Sequence, residues 1–591
     1  MLKSKASILK CLCASIAAFC GFAAIADEPA VRVWPRQARV YLPTNLEQFM
    51  FLEVADFSAA GDATLTITLP PEITVKGVIG GTSPAAPPPD MSIRPQKWEQ
   101  KENSAVFSFK GSDFPAELPY AWLALYIDVR TAPGKYNMQF TLSGKNFERN
   151  NSVEVSVYPE LIGKTSETMR LAAWYYSGLD NEFVKPFIEQ FTAAGVNAFY
   201  SMEGEVVRGK LATGTVADLA GEYGCETGVV FFSTWMLDHV IKHGGMPQEF
   251  ANVELTLQSL IDNPEAFKAA LKIYLDYTTG GKKIDVIIYD AETGAIKGRR
   301  SGLSGDLTEY SFKKFSREVG AEHTLTADEI LADYQDEWVD YNCRQSNEIA
   351  RLTRELLDEH YPYAKFKVYS GYEYDFEPYK NLSRRNYAVD WATMGDNFID
   401  YAGAGYYGNM RDIGNTFKVL EGRVTYIPAE MYVENFLAAN IGDLSPERWA
   451  MRLMKVFMNS GMRGMSYWYA NDMDGGALIA CSEFTKFVLL VEDFAMRGHL
   501  DDKAITVAPE TEKSNVYVLR DSKQALVVVL NDSDVAKRVR LTLNDFKIQG
   551  YTSDLQIIDM ATEERIPAAK VLTLEIPPLS YKVLQILDDG N

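Results

Sequence analysis

The sequence predicts a multidomain protein: a central (β/α)8 (TIM) barrel flanked by N-terminal and C-terminal β-sandwich domains. Three observations lead there. The chain has 591 residues, too many for one ordinary core and suited to about three domains. Both ends alternate apolar and polar residues at period two, as half-buried strands do. Between them, eight apolar runs alternate with amphipathic helical stretches, the pattern of a parallel α/β fold. A doubly wound open sheet is the alternative. The count of eight and the lack of a Gly-rich phosphate loop after the first run favour the barrel.

Taken in order, residues 1–26 read as a secretory signal. Lys3, Lys5 and Lys10 precede a nearly apolar stretch, Cys11 to Ala26, and Ala24-Ile25-Ala26 offers an A-x-A cleavage site. The expected location is therefore secreted or periplasmic, with an uncleaved anchor as the alternative reading. Residues 27–162 form the expected N-terminal β-sandwich, with strands in "ATLTITL" (63–69), "NMQFTL" (137–142) and "SVEVSV" (152–157) and a Pro-rich loop at 80–90.

The expected barrel spans 163–500. Its strands lie in "MRLAAWYY" (169–176), "VNAFYSM" (196–202), "TGVVFFSTW" (227–235), "KIDVIIYDAE" (283–292), "AKFKVYSGY" (364–372), "FIDYAGAGYY" (398–407), "RVTYIPAEMY" (423–432) and "MRGMSYWYA" (462–470). Helix signals fall between them. Asp180 suits the cap of a helix with Phe183, Phe187, Ile188 and Phe191 on one stripe and Gly195 beyond its end. Thr326 and Glu329 suit a capping box, and Ser445-Pro446 a helix start. Residues 501–591 form the C-terminal β-sandwich, with strands in "NVYVLR", "ALVVVLN", "RVRLTL" and "YKVLQIL".

A net charge of −21 disfavours nucleic acid and anionic membranes as partners. After signal cleavage no segment reads as membrane-spanning. Cys225, Cys343 and Cys481 remain after the signal, are widely spread and contain no C-x-x-C, so buried free thiols are expected, with one opportunistic bridge after export as the alternative. The five histidines are expected to form no helical H-x-x-x-H pair, and no metal cluster, P-loop, nucleophile elbow or cofactor site is read from the chain.

The chemistry concentrates at strand ends. In a barrel the active site lies at the C-terminal ends of the strands. The fourth run drives into Asp290 and Glu292, two positions apart and therefore on one side of the strand. The seventh run ends in Glu430. Taken singly, each carboxylate reads as a helix cap or an ion-pair partner. Taken together, Glu292 and Glu430 suit glycoside hydrolysis, in which one carboxyl protonates the leaving oxygen and the other attacks or stabilises the sugar cation. Asp290 reads as a supporting, substrate-binding residue. Trp174, Tyr200, Trp235, Tyr372, Tyr406, Tyr407 and Trp468 fall near strand ends and supply faces on which pyranose rings can stack. Lys297, Arg299 and Arg300 follow Glu292 closely. They suit a subsite for an anionic sugar held by Arg299, with a solvated loop or pairing to acids such as Asp306 as the alternative.

On these residues, the region 165–500 resembles the clan of retaining (β/α)8 glycoside hydrolases whose acid/base ends strand four and whose nucleophile ends strand seven. The resemblance implies Glu292 as acid/base and Glu430 as nucleophile, acting on an oligo- or polysaccharide. The clan usually has Asn before the acid/base, where this chain has Ala291. "DVIIYDAE" (285–292) also resembles the strand-four D-x-x-D-x-D-x-E motif of chitinase-like hydrolases, matching at Asp285, Asp290 and Glu292 with Ile288 at the second Asp position. That resemblance implies substrate assistance, with Asp290 orienting a 2-acetamido group and Glu292 as the acid. A non-catalytic carbohydrate-binding barrel remains a third reading.

Overall fold

The computed structural model describes residues 32–34, 39–55, 61–78, 93–113, 120–175, 181–201, 216–291, 303, 305–372, 374–377, 381–394, 399–404, 413–420, 429–432, 445–459, 464–468, 470, 473–501, 503–521, 524–544 and 555–588. The expected signal, the Pro-rich loop at 80–90 and the capping Asp180 lie outside them.

Eight parallel strands close into a barrel. They are β1 (Leu171–Tyr175), β2 (Ala198–Ser201), β3 (Glu226–Phe231), β4 (Val286–Asp290), β5 (Lys365–Ser370), β6 (Tyr401–Ala404), β7 (Ala429–Tyr432) and β8 (Met465–Trp468). Seven fall within the apolar runs and β3 begins one residue before its run, at Glu226; β1 closes the ring by pairing with β8. One run is shorter as a strand than expected. β3 ends at Phe231, and Ser233–His243 is a helix, so Trp235 lies in its first turn rather than on the strand. Extended Phe232 makes the break, after which β-branched residues give way to Trp-Met-Leu.

Polar residues set the stagger at the N-terminal end of the barrel. Asn197, just before β2, accepts from the Leu171 N–H of β1 (2.8 Å) and donates to the carbonyls of Ser166 and Met169. Asp285, just before β4, accepts from the Thr227 N–H (3.0 Å) and hydroxyl (3.1 Å) of β3. Asp400, just before β6, accepts from the Phe366 N–H of β5 (2.8 Å). Asp285 thus acts at the end away from the strand-four carboxylates. Asp285→Ala leaves a part-buried N–H and hydroxyl unpaired. It should cost about 1–3 kcal/mol in urea unfolding, while Asp285→Asn should cost less.

The helix Asn181–Ala193 forms as its stripe requires. Phe183, Phe187, Ile188 and Phe191 are buried, and Gly195 takes φ +98° just past its end. A Cβ there would stand 2.3 Å from Thr485 Oγ1, so both conformation and space call for glycine. Thr326 and Glu329 form the expected capping box, and a helix begins at Pro446. The expectation about histidines is overturned. His239 and His243 both lie on the helix Ser233–His243, four residues apart, with ring centroids 4.8 Å apart. His239 also packs against Tyr277, with ring centroids 4.2 Å apart and the planes tilted by 33°.

Each end of the chain contributes two sheets that share one apolar core. At the N-terminal end a six-stranded sheet (order 39–43, 147–158, 134–144, 63–68, 104–109, 97–101) and a four-stranded one (32–34, 46–55, 120–129, 73–78) enclose Leu65, Phe107, Phe140, Leu52, Leu123 and Ile127. At the C-terminal end a six-stranded sheet (499–500, 516–520, 524–531, 580–588, 555–559, 564–566) and a three-stranded one (505–508, 537–543, 571–576) enclose Val527, Val529, Leu541 and Leu584. The strand Leu46–Ala55 is buried on both faces. Met50 and Leu52 turn into the N-terminal core, whereas Phe49 and Phe51 pack on the helix Asn181–Ala193. Cys225, Cys343 and Cys481 are free and buried. Burial pushes their thiols up, to about 11 for Cys225 and about 12 for the other two. No described helix is long and apolar enough to cross a membrane.

Candidate active site

Strand alternation sorts the barrel residues into two environments. Leu171, Ala173, Phe199, Ile287, Tyr289, Phe366 and Val368 face the helices. Ala172, Trp174, Ala198, Tyr200, Val230, Val286, Ile288, Tyr369 and Tyr401 fill the interior.

The N-terminal end of that interior is a closed polar floor. Glu226, the first residue of β3, accepts from the Tyr200 hydroxyl (2.9 Å), the Tyr401 hydroxyl (3.2 Å) and Arg170 Nε (3.2 Å). Burial, and then the charge of Glu226, raises the Tyr401 phenol above its ordinary value. Tyr200, expected among the substrate contacts, belongs to this floor. It is fully buried, its hydroxyl is bonded to Glu226, and its ring occupies the space of a missing side chain at Gly228, where a Cβ would lie 2.5 Å from Tyr200 Cδ1.

The C-terminal end is aromatic and acidic. Asp290, the last residue of β4, is only 1% exposed and pairs in register with Tyr369. Trp174 packs against Tyr369 (5.3 Å between centroids) and edge-on to Trp468 (5.9 Å), which ends β8 and is half-buried. The Trp174 indole N–H is buried and has no hydrogen-bond partner among the described residues. Phe232 and Trp235 pack together, tilted at 55° with centroids 4.2 Å apart, on the β3 side of this cluster. Beneath Trp174 lies the Lys367 ammonium.

Of the residues singled out from sequence, the structure gathers Asp290, Trp174 and Trp468 in or beside the mouth, with Trp235 at its edge. Tyr372 is not among them. Its ring packs edge-on against Tyr387 at 5.5 Å, in the apolar layer outside the barrel. It follows Ser370, whose parity on β5 is outward. Glu292, Arg299, Tyr406 and Tyr407 lie outside the described residues, as do Lys297 and Arg300. For Glu430 the backbone is described: it is the second residue of β7 and pairs with Ser466 of β8.

The register also relates strands four and seven. Asp290 pairs with Tyr369, and Tyr369 with Gly403; on the next rung Ser370 pairs with Ala404, and Ala404 with Ala429. Counted through β5 and β6, Glu430 stands two rungs beyond the row of Asp290; counted the other way, through β8, β1, β2 and β3, it stands six rungs before it, and the eight-rung difference is the stagger of the closed barrel. Two residues of the interior were missed in the sequence, Lys367 and Tyr369. Their signal was the alternation Lys365, Lys367, Tyr369 inside an otherwise apolar strand. On the outer side of β4, a cavity of about 340 Å³ is lined by residues including Tyr289, Ala291, Ser233, Gln345 and Ser346. Among the described residues, no group of three or more His, Cys, Asp or Glu side chains could hold a metal ion.

No family model and no curated protein matches the chain. Among solved structures it is similar to a β-L-arabinopyranosidase from Geobacillus stearothermophilus in complex with arabinose, with a TM-score of 0.39 at 10% identity over 72% of this chain and 98% of that one. It is similar to an α-amylase from Geobacillus thermoleovorans complexed with acarbose, with a TM-score of 0.39 at 12% identity over 72% of this chain and 100% of that one. A third is an endoxylanase from Clostridium papyrosolvens, with a TM-score of 0.35 at 11% identity over 72% and 98%. At these scores the likeness carries no argument, and the fold rests on the strand pairing itself.

Proposed function

We propose that the chain is an exported glycoside hydrolase, secreted or periplasmic, that cleaves an oligo- or polysaccharide at the C-terminal mouth of its barrel. One observation carries the reading. Strand four delivers a buried carboxylate, Asp290, into a mouth walled by Trp174, Tyr369 and Trp468, and strand seven carries Glu430 on the rung of Ser466, two residues before Trp468.

In this reading a pyranose stacks on the aromatic wall. Glu292 protonates the leaving oxygen, Glu430 attacks the anomeric carbon, and Glu292 then deprotonates the water that releases the sugar with retained configuration. The inward burial of Asp290 favours a second reading, in which Asp290 orients a 2-acetamido group that attacks its own anomeric carbon and Glu292 is the acid. A panel of glycans and aryl glycosides, with product configuration followed by NMR, separates them. Retention on sugars with and without a 2-acetamido group supports the first; activity confined to 2-acetamido sugars supports the second. If binding persists with no hydrolysis of any member, the barrel is a binding module and the proposal fails.

The cations after Glu292 extend the proposal to an anionic glycan. Replacing Arg299 and Arg300 together by Gln should weaken binding of a uronate- or sulfate-bearing substrate, by less as salt rises, and leave a neutral aryl glycoside nearly unchanged. Equal losses on both substrates would make the loop structural.

A further inference from the structure

The cavity of about 340 Å³ on the outer side of β4 lies behind the mouth, not in it. Asp290 turns into the barrel, so Tyr289 and Ala291 turn out, and both border the cavity. Its other walls are the helices Ser233–His243 and Gln335–His360, the start of the helix Leu257–Ile261, and the segment 305–308.

Those walls are held by hydrogen bonds of their own. Asp306 accepts from the Gln258 N–H (3.0 Å) and the Thr308 N–H (3.2 Å), which ties 305–308 to the start of Leu257–Ile261. Thr308 in turn accepts from the Ser311 N–H (3.3 Å) and caps the helix Glu309–Glu318. Gly305 takes φ +104°, and a Cβ there would stand 1.9 Å from Asn342 Oδ1. The segment therefore lies directly on the helix Gln335–His360, as only glycine allows. The space between these walls is preformed, as small-molecule sites usually are.

The lining says what would fit. Leu237, Leu255, Leu257 and Leu307 are only half-buried, and with Ile349 they make most of the surface apolar. Among the described lining residues there is no Lys, Arg or His, and the acids are Asp238 and Asp306. An anion finds no counter-charge there. One polar group is left over. Gln345 borders the cavity and is 7% exposed, and its Nε2 is buried without a hydrogen-bond partner. A buried amide N–H left unpaired is costly, and native proteins seldom keep one. The orphan is a donor, so what it lacks is an acceptor.

We propose that this cavity is a second binding site, for a small uncharged molecule with an apolar body and a carbonyl group that accepts from Gln345 Nε2. At about 340 Å³ it stands at the small end of ligand pockets, which limits the occupant to a compact molecule. The site and its test are independent of the hydrolase reading of the mouth.

Fluorine NMR line broadening on the purified chain tests it, with 4-fluorobenzamide as the carbonyl-bearing probe and 4-fluorotoluene as its apolar counterpart. Wild type should bind the amide. Gln345→Leu should weaken the amide about three- to tenfold, the worth of one hydrogen bond, and leave 4-fluorotoluene unchanged or tighter. Leu237→Trp, which puts a larger ring into the cavity from a half-buried position, should abolish binding of both probes. If wild type binds neither probe, the cavity holds only solvent and the proposal fails. Amide affinity unchanged in Gln345→Leu overturns it, because the amide is then not read by Gln345. Wild-type affinity for the amide in Leu237→Trp overturns it too, by placing the probe elsewhere.

Folding of the variants is also informative. The native amide donor has no partner to lose, so Gln345→Leu should melt no more than about 3 °C below wild type. If Gln345→Leu fails to fold, Gln345→Met, of similar length, takes its place in the titrations. Loss of folding in both would mean that the amide is bonded within the protein, and overturns the proposal.

Discussion

Glu430→Ala is expected to remove hydrolysis of every glycoside that the wild type cleaves, with folding unchanged by circular dichroism. Without the strand-seven carboxylate no covalent glycosyl intermediate forms, so good and poor leaving groups suffer alike. Glu292→Ala should behave differently. Loss of the general acid should slow substrates with poor leaving groups by about 10²–10⁴-fold, and activated aryl glycosides much less. Azide should restore part of the lost turnover on the activated substrate, since it attacks the glycosyl intermediate without needing a base. The contrast between the two variants is the diagnostic result. A Glu430→Ala enzyme that stays active while Asp290→Ala is dead transfers the mechanism to the substrate-assisted reading. Equal loss in all three variants, with unfolding, means the carboxylates support the barrel and not the reaction.

Phe187→Ala should have the largest effect on stability, about 3–5 kcal/mol. Its ring is fully buried and packs against Phe191 (4.9 Å), Tyr175 of β1 (5.9 Å), Phe199 of β2 (6.2 Å) and Phe49 of the N-terminal sheet (6.2 Å). The same apolar cluster continues through Phe487 to Tyr581, and through Leu519 and Val528 of the C-terminal sheets. One core therefore runs through all three parts of the chain, and the cavity left at Phe187 sits where the first two join. Calorimetry should show one main transition in wild type, and a variant whose N-terminal sheets unfold ahead of the barrel. A loss below about 1 kcal/mol would mean that the site collapses around the smaller side chain and that the junction is held elsewhere.

Much of this architecture is local and was therefore legible. Hydrophobic period separates strand from helix, so the eight runs appeared as eight barrel strands and the Phe183–Phe191 stripe as a buried helix face. Capping is also local, since Thr326 and Glu329 are three residues apart and need no partner beyond their own turn. Where the chain switches element within an apolar run, period alone failed. "TGVVFFSTW" stays apolar through Phe232 while the backbone turns from β3 into a helix.

The amino-acid sequence by itself determined which way the strand residues face. Alternation gave Asp290 and Trp174 their inward parity, and the same alternation turned Tyr372 away. What it left open was height along the barrel axis and reach across it. Tyr200 and Trp174 share an inward parity, yet one seals the floor through Glu226 and the other backs the mouth. That difference comes from the stagger of eight strands, fixed by contacts such as Asn197 to Leu171 and Asp285 to Thr227 between residues 26 and 58 positions apart. Lys367 is the same case with a charge. Its place in an alternating strand was readable, but its two aromatic faces come from strands more than 160 residues upstream in the sequence. Only closure of the barrel brings them within 5.0 Å of the ammonium.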